Sequence, residues 1–314
     1  MSLSYQDCGV SVGRNDTWVE TLKKNGVTDG GFASLFEEGD DVWVSSTDGV
    51  GSKLILVLEN HLPNHLFTLG QDLVAMVVND IITTGALPLF LLDYLAVHKI
   101  GDLDLSELIL GVKAACEQCG CSLIGGETAE LPDMIQRGVF DIAGFGVGKV
   151  AKSELWCSDR VQEGDMILGI ESSGPHANGF SLIRKIHDQN PFSRDELYDL
   201  LRPTHLYAPL VKRLKETFSS VIKVGANITG GGLLGNLTRV IPPYLTSDLD
   251  IPTLPPLFIT IQEKGKLEED ELRTVLNCGI GFALIVHPDY HQEIKEVCNL
   301  FFPNHLLGVV VQKD

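Results

Sequence analysis

Residues 69 to 85 read LGQDLVAMVVNDIITTG, and this stretch sets the pattern for the first half of the chain. At about 100° per residue, a helix over 69–85 collects its apolar side chains on one stripe, and Asp80 falls within that stripe. An unpaired carboxylate buried there would be costly or would take up a proton, so we expect a metal ion, a lysine or amide donors beside it. The alternative is that Asp80 lies where the stripe meets solvent. Asp72 and Asn79 extend a polar seam on an adjacent face.

Strands and helices alternate on both sides of this helix. Before residue 153, apolar patterning predicts a short helix at 16–25, strands at 42–47, 88–97, 121–126 and 139–150, and a helix at 105–119. After it, the patterning predicts strands at 165–171 and 279–287, helices at 179–189 and 205–219, and an internal proline-rich loop at 251–257. We therefore predict two domains of the α+β or α/β class, 1–153 and 154–314.

The charge balance limits the partners that the protein can have. The 314 residues include 24 basic and 42 acidic ones, for a net charge of −18, which argues against nucleic acid or an anionic membrane as the main partner. Phosphate ligands would have to be held locally, by backbone amides, a few cations and divalent metal. No apolar stretch is long enough for a membrane helix and no signal peptide is evident, so we expect a cytoplasmic protein with reduced cysteines. The cluster CEQCGC at 116–121 has no second Cys/His pair at zinc spacing, which favours structural cysteines.

Four glycine-containing loops carry the polar side chains that could do chemistry. They are TDGVGSK at 47–53, GGETAELPD at 125–133, SSGPHANGFSL at 172–182 and NITGGGLLGN at 227–236. Glycine lets backbone N–H groups approach an anion, although each loop alone is more often a plain turn. His176 lies on one of them, and an imidazole can act as acid or base near neutral pH. A Walker A sequence is absent, and GFGVGK at 144–149 lacks the spacing and following helix of a dinucleotide fingerprint.

In this order, the motifs resemble the phosphoribosylformylglycinamidine cyclo-ligase (aminoimidazole ribonucleotide synthetase) family. The resemblance begins at SLSYQDCGV, continues through the four loops and GQDLVAMVVNDI, and ends at LNCGIGF, so it spans nearly the whole chain. It implies ATP-dependent cyclisation of formylglycinamidine ribonucleotide to aminoimidazole ribonucleotide, with release of ADP and phosphate, in purine biosynthesis. ATP would activate the formyl oxygen as an iminophosphate, the amidine nitrogen would attack, and phosphate would leave.

The resemblance also assigns roles to individual residues. It implies a magnesium site at Asp48, Asp80 and Glu127, with potassium as a further candidate ion, and catalytic roles for His176 as general acid or base and for Asp48 and Lys53 at the phosphate. The residues expected to contact ATP are Lys23 in the N-terminal segment, Gly30 and Gly31 in the loop DGGF at 29–32, and Asn79. The residues expected to hold phosphate or substrate are Gly49, Gly51, Thr229, Gly230, Gly231 and Gly232.

The quaternary structure implied by the resemblance is a homodimer. Four strands of each N-terminal domain, which would bind ATP and metal, would join in a shared barrel, with sandwich-like α/β C-terminal domains that bind substrate phosphate outside it. This chain departs from the family pattern at Leu87, where glutamate is usual, at Asn227, where histidine is common, and in a shorter N-terminal glycine loop. Two alternatives stay open: another ATP-using relative such as selenophosphate synthetase, for which Cys8 would be the nucleophile, or a catalytically inactive nucleotide-binding protein.

Overall fold

The first half of the protein is a five-stranded sheet with helices on one face. The structure, a computed structural model, describes residues 21, 24, 25, 31–62 and 64–313. The elements of this half are β1 (Ser34–Glu38), β2 (Asp41–Gly49), α1 (Lys53–Asn60), α2 (His65–Ile82), β3 (Leu87–Val97), α3 (Ser106–Cys119), β4 (Ser122–Glu130) and β5 (Phe140–Ala151). The strand order is β1-β2-β5-β3-β4, in which β3 and β4 are parallel and the other neighbours antiparallel.

Glycines allow the long helix α2 to lie close to this sheet. In the stretch GFGVGK of β5, Gly144, Gly146 and Gly148 all face α2, and a Cβ added at Gly146 would come 2.6 Å from the Val77 side chain. Where α2 crosses α3, a Cβ at Gly111 would collide with the backbone of Phe67. The glycine repeat of β5 therefore serves helix packing, in agreement with its exclusion as a dinucleotide motif.

The second half contains another five-stranded sheet. Its elements are β6 (Met166–Glu171), α4 (Phe180–Gln189), α5 (Arg194–Leu200), α6 (Ala208–Phe218), β7 (Ile222–Asn227), α7 (Gly232–Leu237), β8 (Leu245–Leu249), α8 (Pro256–Gly265), α9 (Glu269–Val275), β9 (Ile280–Val286), α10 (His291–Asn299) and β10 (Asn304–Gln312). The strand order is β7-β9-β6-β10-β8, with every neighbouring pair antiparallel. All seven residues of β9, IGFALIV, are buried, as expected of a strand covered on both faces.

The two halves meet along helix α2. Its Asp72 carboxylate accepts hydrogen bonds from the backbone N–H (2.8 Å) and hydroxyl (2.6 Å) of Thr204. Asn79 lies two turns further along and donates to the carbonyl of His205 at 2.9 Å, while its own oxygen accepts from the N–H of Tyr207 at 3.2 Å. The polar seam expected from the sequence therefore joins α2 to residues 204–207 of the second half.

Most of the strongly patterned elements occur where the sequence predicts them. The helix expected at 69–85 runs over 65–82, and the strand expected at 139–150 runs over 140–151. The sequence reading missed β1, α1, β7, β8, β10 and several short helices. The first sheet has five strands rather than the four implied by the resemblance, because Ser34–Glu38 pairs with β2 as an extra edge strand. The helix expected at 16–25 falls almost entirely outside the described residues.

The predicted domain boundary after Ser153 falls between the two sheets. The last strand of the first sheet ends at Ala151, and the first strand of the second begins at Met166. Within the described part of the chain, no helix combines the length and the apolar character needed to cross a membrane.

Candidate functional site

Two carboxylates from different elements of the first half lie near each other at the boundary with the second half. Asp48 stands near the end of β2, and Asp80 lies in the last turn of α2. The hydroxyl of Ser46 donates to Asp80 Oδ2 at 3.2 Å, and the amide of Asn227 donates to Asp80 Oδ1 at 2.9 Å. The polar partners that the sequence predicts for Asp80 are thus a hydroxyl group on β2 and a side-chain amide at the end of β7.

The surroundings of both carboxylates favour their protonated forms. Burial, together with the neighbouring charge of Asp48, raises the pKa of Asp80 to about 7, although Asn227, Arg239 and Ser46 oppose the shift. Burial also raises the pKa of Asp48, and a hydrogen bond from the N–H of Gly49 (2.8 Å) opposes that shift. Two close acids without a full counter-charge are suited to a divalent cation.

The carboxylates could supply only part of a metal coordination shell. Among the described residues, no group of three or more His, Cys, Asp or Glu side chains is arranged to hold a metal ion. Mg²⁺ is commonly held by one or two carboxylates together with water and substrate phosphates, so Asp48 and Asp80 fit that ion as a partial set.

Glu127, the third expected metal ligand, lies away from this pair. Glu127 of β4 lies beside Tyr94 of β3, and Tyr94 lies beside Ala143 of β5. Ala143 lies beside Gly49 at the end of β2, so three strand-to-strand steps separate Glu127 from Gly49. Three strand spacings amount to roughly 14 Å, and the Glu127 side chain is exposed. The sheet order therefore separates Glu127 from Asp48 and Asp80 within one chain, and its expected part in the magnesium site stays a prediction.

Lys53 does not face the proposed phosphate site. It is 1% exposed and forms an ion pair with Asp72 at 2.7 Å, and it donates to the carbonyl of Arg202 at 2.9 Å. Burial lowers the pKa of Lys53, and the attraction of Asp72 opposes this shift. In this structure Lys53 joins the two halves of the protein because α1 turns its first residue inward. Its expected role in neutralising phosphate stays a prediction.

His176 and Asn79 are also buried rather than open to a ligand. His176 is 1% exposed and packs between His205 and Tyr207, with its Nε2 accepting the N–H of Ser173 at 3.3 Å. Burial, with the nearby charges of His205 and Lys53, lowers the pKa of His176 well below its usual range. Asn79 is fully buried, and its amide group is hydrogen-bonded to residues 205 and 207. In this structure both side chains are hydrogen-bonded within the protein, and the roles of His176 as acid or base and of Asn79 as an ATP contact stay predictions.

The TGGG loop at 229–232 lies close to Asp80. It begins two residues after Asn227, which binds Asp80, so the loop leaves β7 next to the carboxylate pair. The side chain of Asn236 donates to the carbonyls of Thr229 (3.3 Å), Gly230 (3.3 Å) and Gly232 (2.7 Å). The loop is therefore held in a defined shape beside Asp80.

The other residues expected at the site are glycines near Asp48, Gly31, and residues that lie outside the described ranges. Gly51 takes the left-handed conformation at φ 56°, which glycine adopts without strain, whereas the N–H of Gly49 is already engaged by Asp48. The carbonyl of Gly31 accepts a hydrogen bond from Arg239. Lys23, Gly30 and Cys8 lie outside the described residues. The sequence reading missed Arg239, although its place three residues after Asn236 in a strongly acidic chain is a usable signal.

Comparison with known proteins decides the family. Residues 28–150 match the AIR synthase related protein, N-terminal domain, and residues 162–314 match the AIR synthase related protein, C-terminal domain. Phosphoribosylformylglycinamidine cyclo-ligase of Xylella fastidiosa (strain 9a5c) is 44% identical over 312 residues, covering 91% of this chain and 87% of the relative. The chain belongs to the phosphoribosylformylglycinamidine cyclo-ligase family. The enzyme of the same name from Burkholderia mallei (strain SAVP1) is 45% identical over 306 residues, covering 90% and 86% of the two chains.

Solved structures share the fold of this cyclo-ligase family member at low sequence identity. AaThiL complexed with AMPPCP and TMP has a TM-score of 0.65 and 18% identity, with 97% of this chain and 94% of that chain covered. The HypE–HypF complex has a TM-score of 0.69 and 17% identity, with 94% of this chain and 93% of that chain covered. Thermotoga maritima PurL complexed with ADP has a TM-score of 0.60 and 13% identity, with 91% of this chain and 43% of that chain covered. At these identities the likeness concerns the fold alone.

Proposed function

We propose that the protein cyclises formylglycinamidine ribonucleotide to aminoimidazole ribonucleotide, using ATP and releasing ADP and phosphate. The observation that carries this proposal is the 44% identity to a protein named for the reaction over 91% of the chain. The activity would place the protein in purine biosynthesis, and we expect it in the cytoplasm. Among the described residues, the carboxylate pair beside a glycine loop and an arginine gives the site the groups that phosphoryl transfer requires.

Asp48 and Asp80 are the proposed holders of Mg²⁺. The raised pKa of each carboxyl group reflects buried negative charge that a cation would relieve. When bound, the ion would neutralise the charge of the transferring phosphate. Asn227 and Ser46 would keep Asp80 oriented by their hydrogen bonds to its two oxygens. K⁺ is a further ion proposed for the site.

ATP and the ribonucleotide would lie between the two halves of the protein. Residues 1–153 would carry the ATP and metal sites, with Gly31 and the N-terminal segment bordering the nucleotide. Residues 154–314 would bind the substrate phosphate through Thr229 and the three glycines that follow it. AaThiL with AMPPCP and PurL with ADP support nucleotide binding, since those proteins share this fold.

A second copy of the chain is the proposed partner of the first sheet. The face opposite α2 exposes Phe36 (67%), Tyr94 (46%) and Phe145 (42%), and strand pairing aligns Phe36 with Trp43. Apolar side chains grouped on one uncovered sheet face are typical of an interface. We expect wild-type protein to be a dimer by light scattering and Phe145→Asp to be monomeric. Leu300→Asp, at an exposed position of the second half, serves as the control.

The reaction itself is tested by direct product detection. Purified protein is incubated with formylglycinamidine ribonucleotide, ATP and Mg²⁺, and aminoimidazole ribonucleotide is measured after diazotisation. We expect product from the wild type, near-complete loss in Asp80→Asn, and no product when ATP or Mg²⁺ is omitted. A folded, dimeric, ATP-binding protein that forms no product would refute the assignment.

A further inference from the structure

The side chain of Asn236 controls the shape of the TGGG loop. It is fully buried, and its amide donates to the carbonyls of Thr229, Gly230 and Gly232. A single donor group thereby turns three loop carbonyls toward α7. In the described part of the chain, the N–H groups of Gly230 and Gly231 have no hydrogen-bond partner, so both are free to meet an anion.

The oxygen of the same side chain contacts Arg239. Nη1 of Arg239 lies 3.4 Å from Asn236 Oδ1, and Nη2 donates to the carbonyl of Gly31. The guanidinium also stacks on Phe32, with its central carbon 4.1 Å from the ring centroid. These contacts fix a long side chain that would otherwise be free to move, and two of them join it to the first half of the protein.

The charge of Arg239 acts on Asp80, and none of the described carboxylates neutralises it by an ion pair. Its partners are a carbonyl, an amide oxygen and an aromatic ring, and none of the described carboxylates forms an ion pair with it. Its field reaches Asp80 across the site. An arginine with no acidic partner among the described residues is notable in a protein with a net charge of −18, and a planar guanidinium matches the oxygens of a phosphate group.

We propose that Arg239 binds a phosphate group at this site and that Asn236 is the positioning residue that sets both the guanidinium and the TGGG loop. This inference rests on the proposed function. The phosphate belongs either to the nucleoside triphosphate or to the phosphomonoester of the ribonucleotide, and both present the same oxygens to Arg239.

Kinetics of single variants identify the phosphate. Arg239→Met should raise KM for one substrate, or lower kcat if the transferring phosphate is bound, by about 10- to 100-fold, the loss expected for a charge-assisted hydrogen bond. A rise in KM for ATP alone would show that Arg239 binds the triphosphate. A rise in KM for the ribonucleotide alone would show that it binds the phosphomonoester. Arg239→Lys should recover part of the loss. Arg213→Met, which removes an exposed arginine paired with Glu216, is the matched control and should leave all constants unchanged.

Asn236→Asp tests the positioning role. A carboxylate of the same shape cannot donate to the three carbonyls and would pair with the guanidinium, so its loss should approach that of Arg239→Met. Because both changes disable one unit, the double variant should be little worse than either single variant. Independent, additive losses would refute the positioning role. Urea unfolding of each variant shows whether the fold is retained.

A binding measurement keeps this inference separate from the assigned reaction. Titration calorimetry with AMPPCP and, separately, with inorganic pyrophosphate requires no turnover. Wild-type binding that weakens at least tenfold in Arg239→Met and recovers in Arg239→Lys supports the phosphate role even if no aminoimidazole ribonucleotide forms. Equal affinity in wild type and Arg239→Met, with kinetic constants within twofold of each other, would overturn it.

Discussion

Replacing Asp80 with asparagine should abolish activity and yet stabilise the folded protein at alkaline pH. The folded chain holds a proton on this group up to a pKa of about 7, against 3.8 for an unperturbed aspartic acid, because the carboxyl group is buried beside Asp48. Between pH 4 and 7 the unfolded chain therefore releases a proton that the folded chain keeps. Stability contributed by this group is fully present below pH 4 and is lost as the pH rises through 7.

The size of the effect follows from the shift. A pKa shift of about three units, at about 1.4 kcal/mol per unit, lowers the stability of the wild-type fold above pH 7 by at most about 4 kcal/mol. Partial contact of Asp80 with solvent reduces this value, and we take about 2 kcal/mol. Asparagine has no charge to desolvate, and its oxygen can still accept from Asn227. The variant should thus be about 2 kcal/mol more stable than wild type at pH 8, with a much smaller difference at pH 4.5.

Urea unfolding at pH 4.5, 6 and 8 in metal-free buffer measures this difference, with Asp133→Asn at an exposed position as the control. Mg²⁺ with AMPPCP should then stabilise wild type more than Asp80→Asn, because the ion binds the folded carboxylate. A variant that is no more stable than wild type at pH 8, or a stability difference that does not change with pH, would show that Asp80 does not carry a shifted proton.

Three other changes test the packing and the buried polar groups. Lys53→Met should cost about 3 to 5 kcal/mol in urea unfolding because it leaves the Asp72 charge buried and unpaired. Lys53→Met combined with Asp72→Asn should recover part of that loss, because asparagine removes the charge and its oxygen can still accept from Thr204; equal losses in both would contradict the ion pair. Gly146→Ala should cost about 1 to 3 kcal/mol by forcing α2 from the sheet, whereas Gly235→Ala, where nothing lies within 4 Å of the added carbon, should be neutral or better by thermal unfolding. Because the pKa of His176 is lowered by burial, stability should fall as the pH drops below 6.5, and His176→Gln should weaken that dependence in urea titrations at pH 5 and 7; an unchanged slope would mean that the ring is protonated in place.

The contacts that Lys53 and His176 make in the structure could not be predicted from the sequence. A lysine after a glycine turn and a histidine in a polar loop are both plausible ligands for phosphate or substrate, and nothing local indicates which way they point. The structure turns both toward the boundary between the halves, where Lys53 meets Asp72 and His176 meets His205 and Tyr207. The partners lie 19 or more positions away along the chain, so the patterning of a short window cannot reveal them.

The sequence by itself determined the elements with strong local patterns, the family, and the need for polar partners around Asp80. Helical and strand periods, and long motifs in a fixed order, are properties of neighbouring residues and can be read directly. Only the tertiary structure decided that Ser46 and Asn227 are those partners, that Glu127 stands roughly three strand spacings from Asp48, and that Arg239 reaches across to Gly31. These contacts depend on strand order and on the packing of α2 between two sheets, and both are set by burial summed over the whole chain rather than by any local stretch.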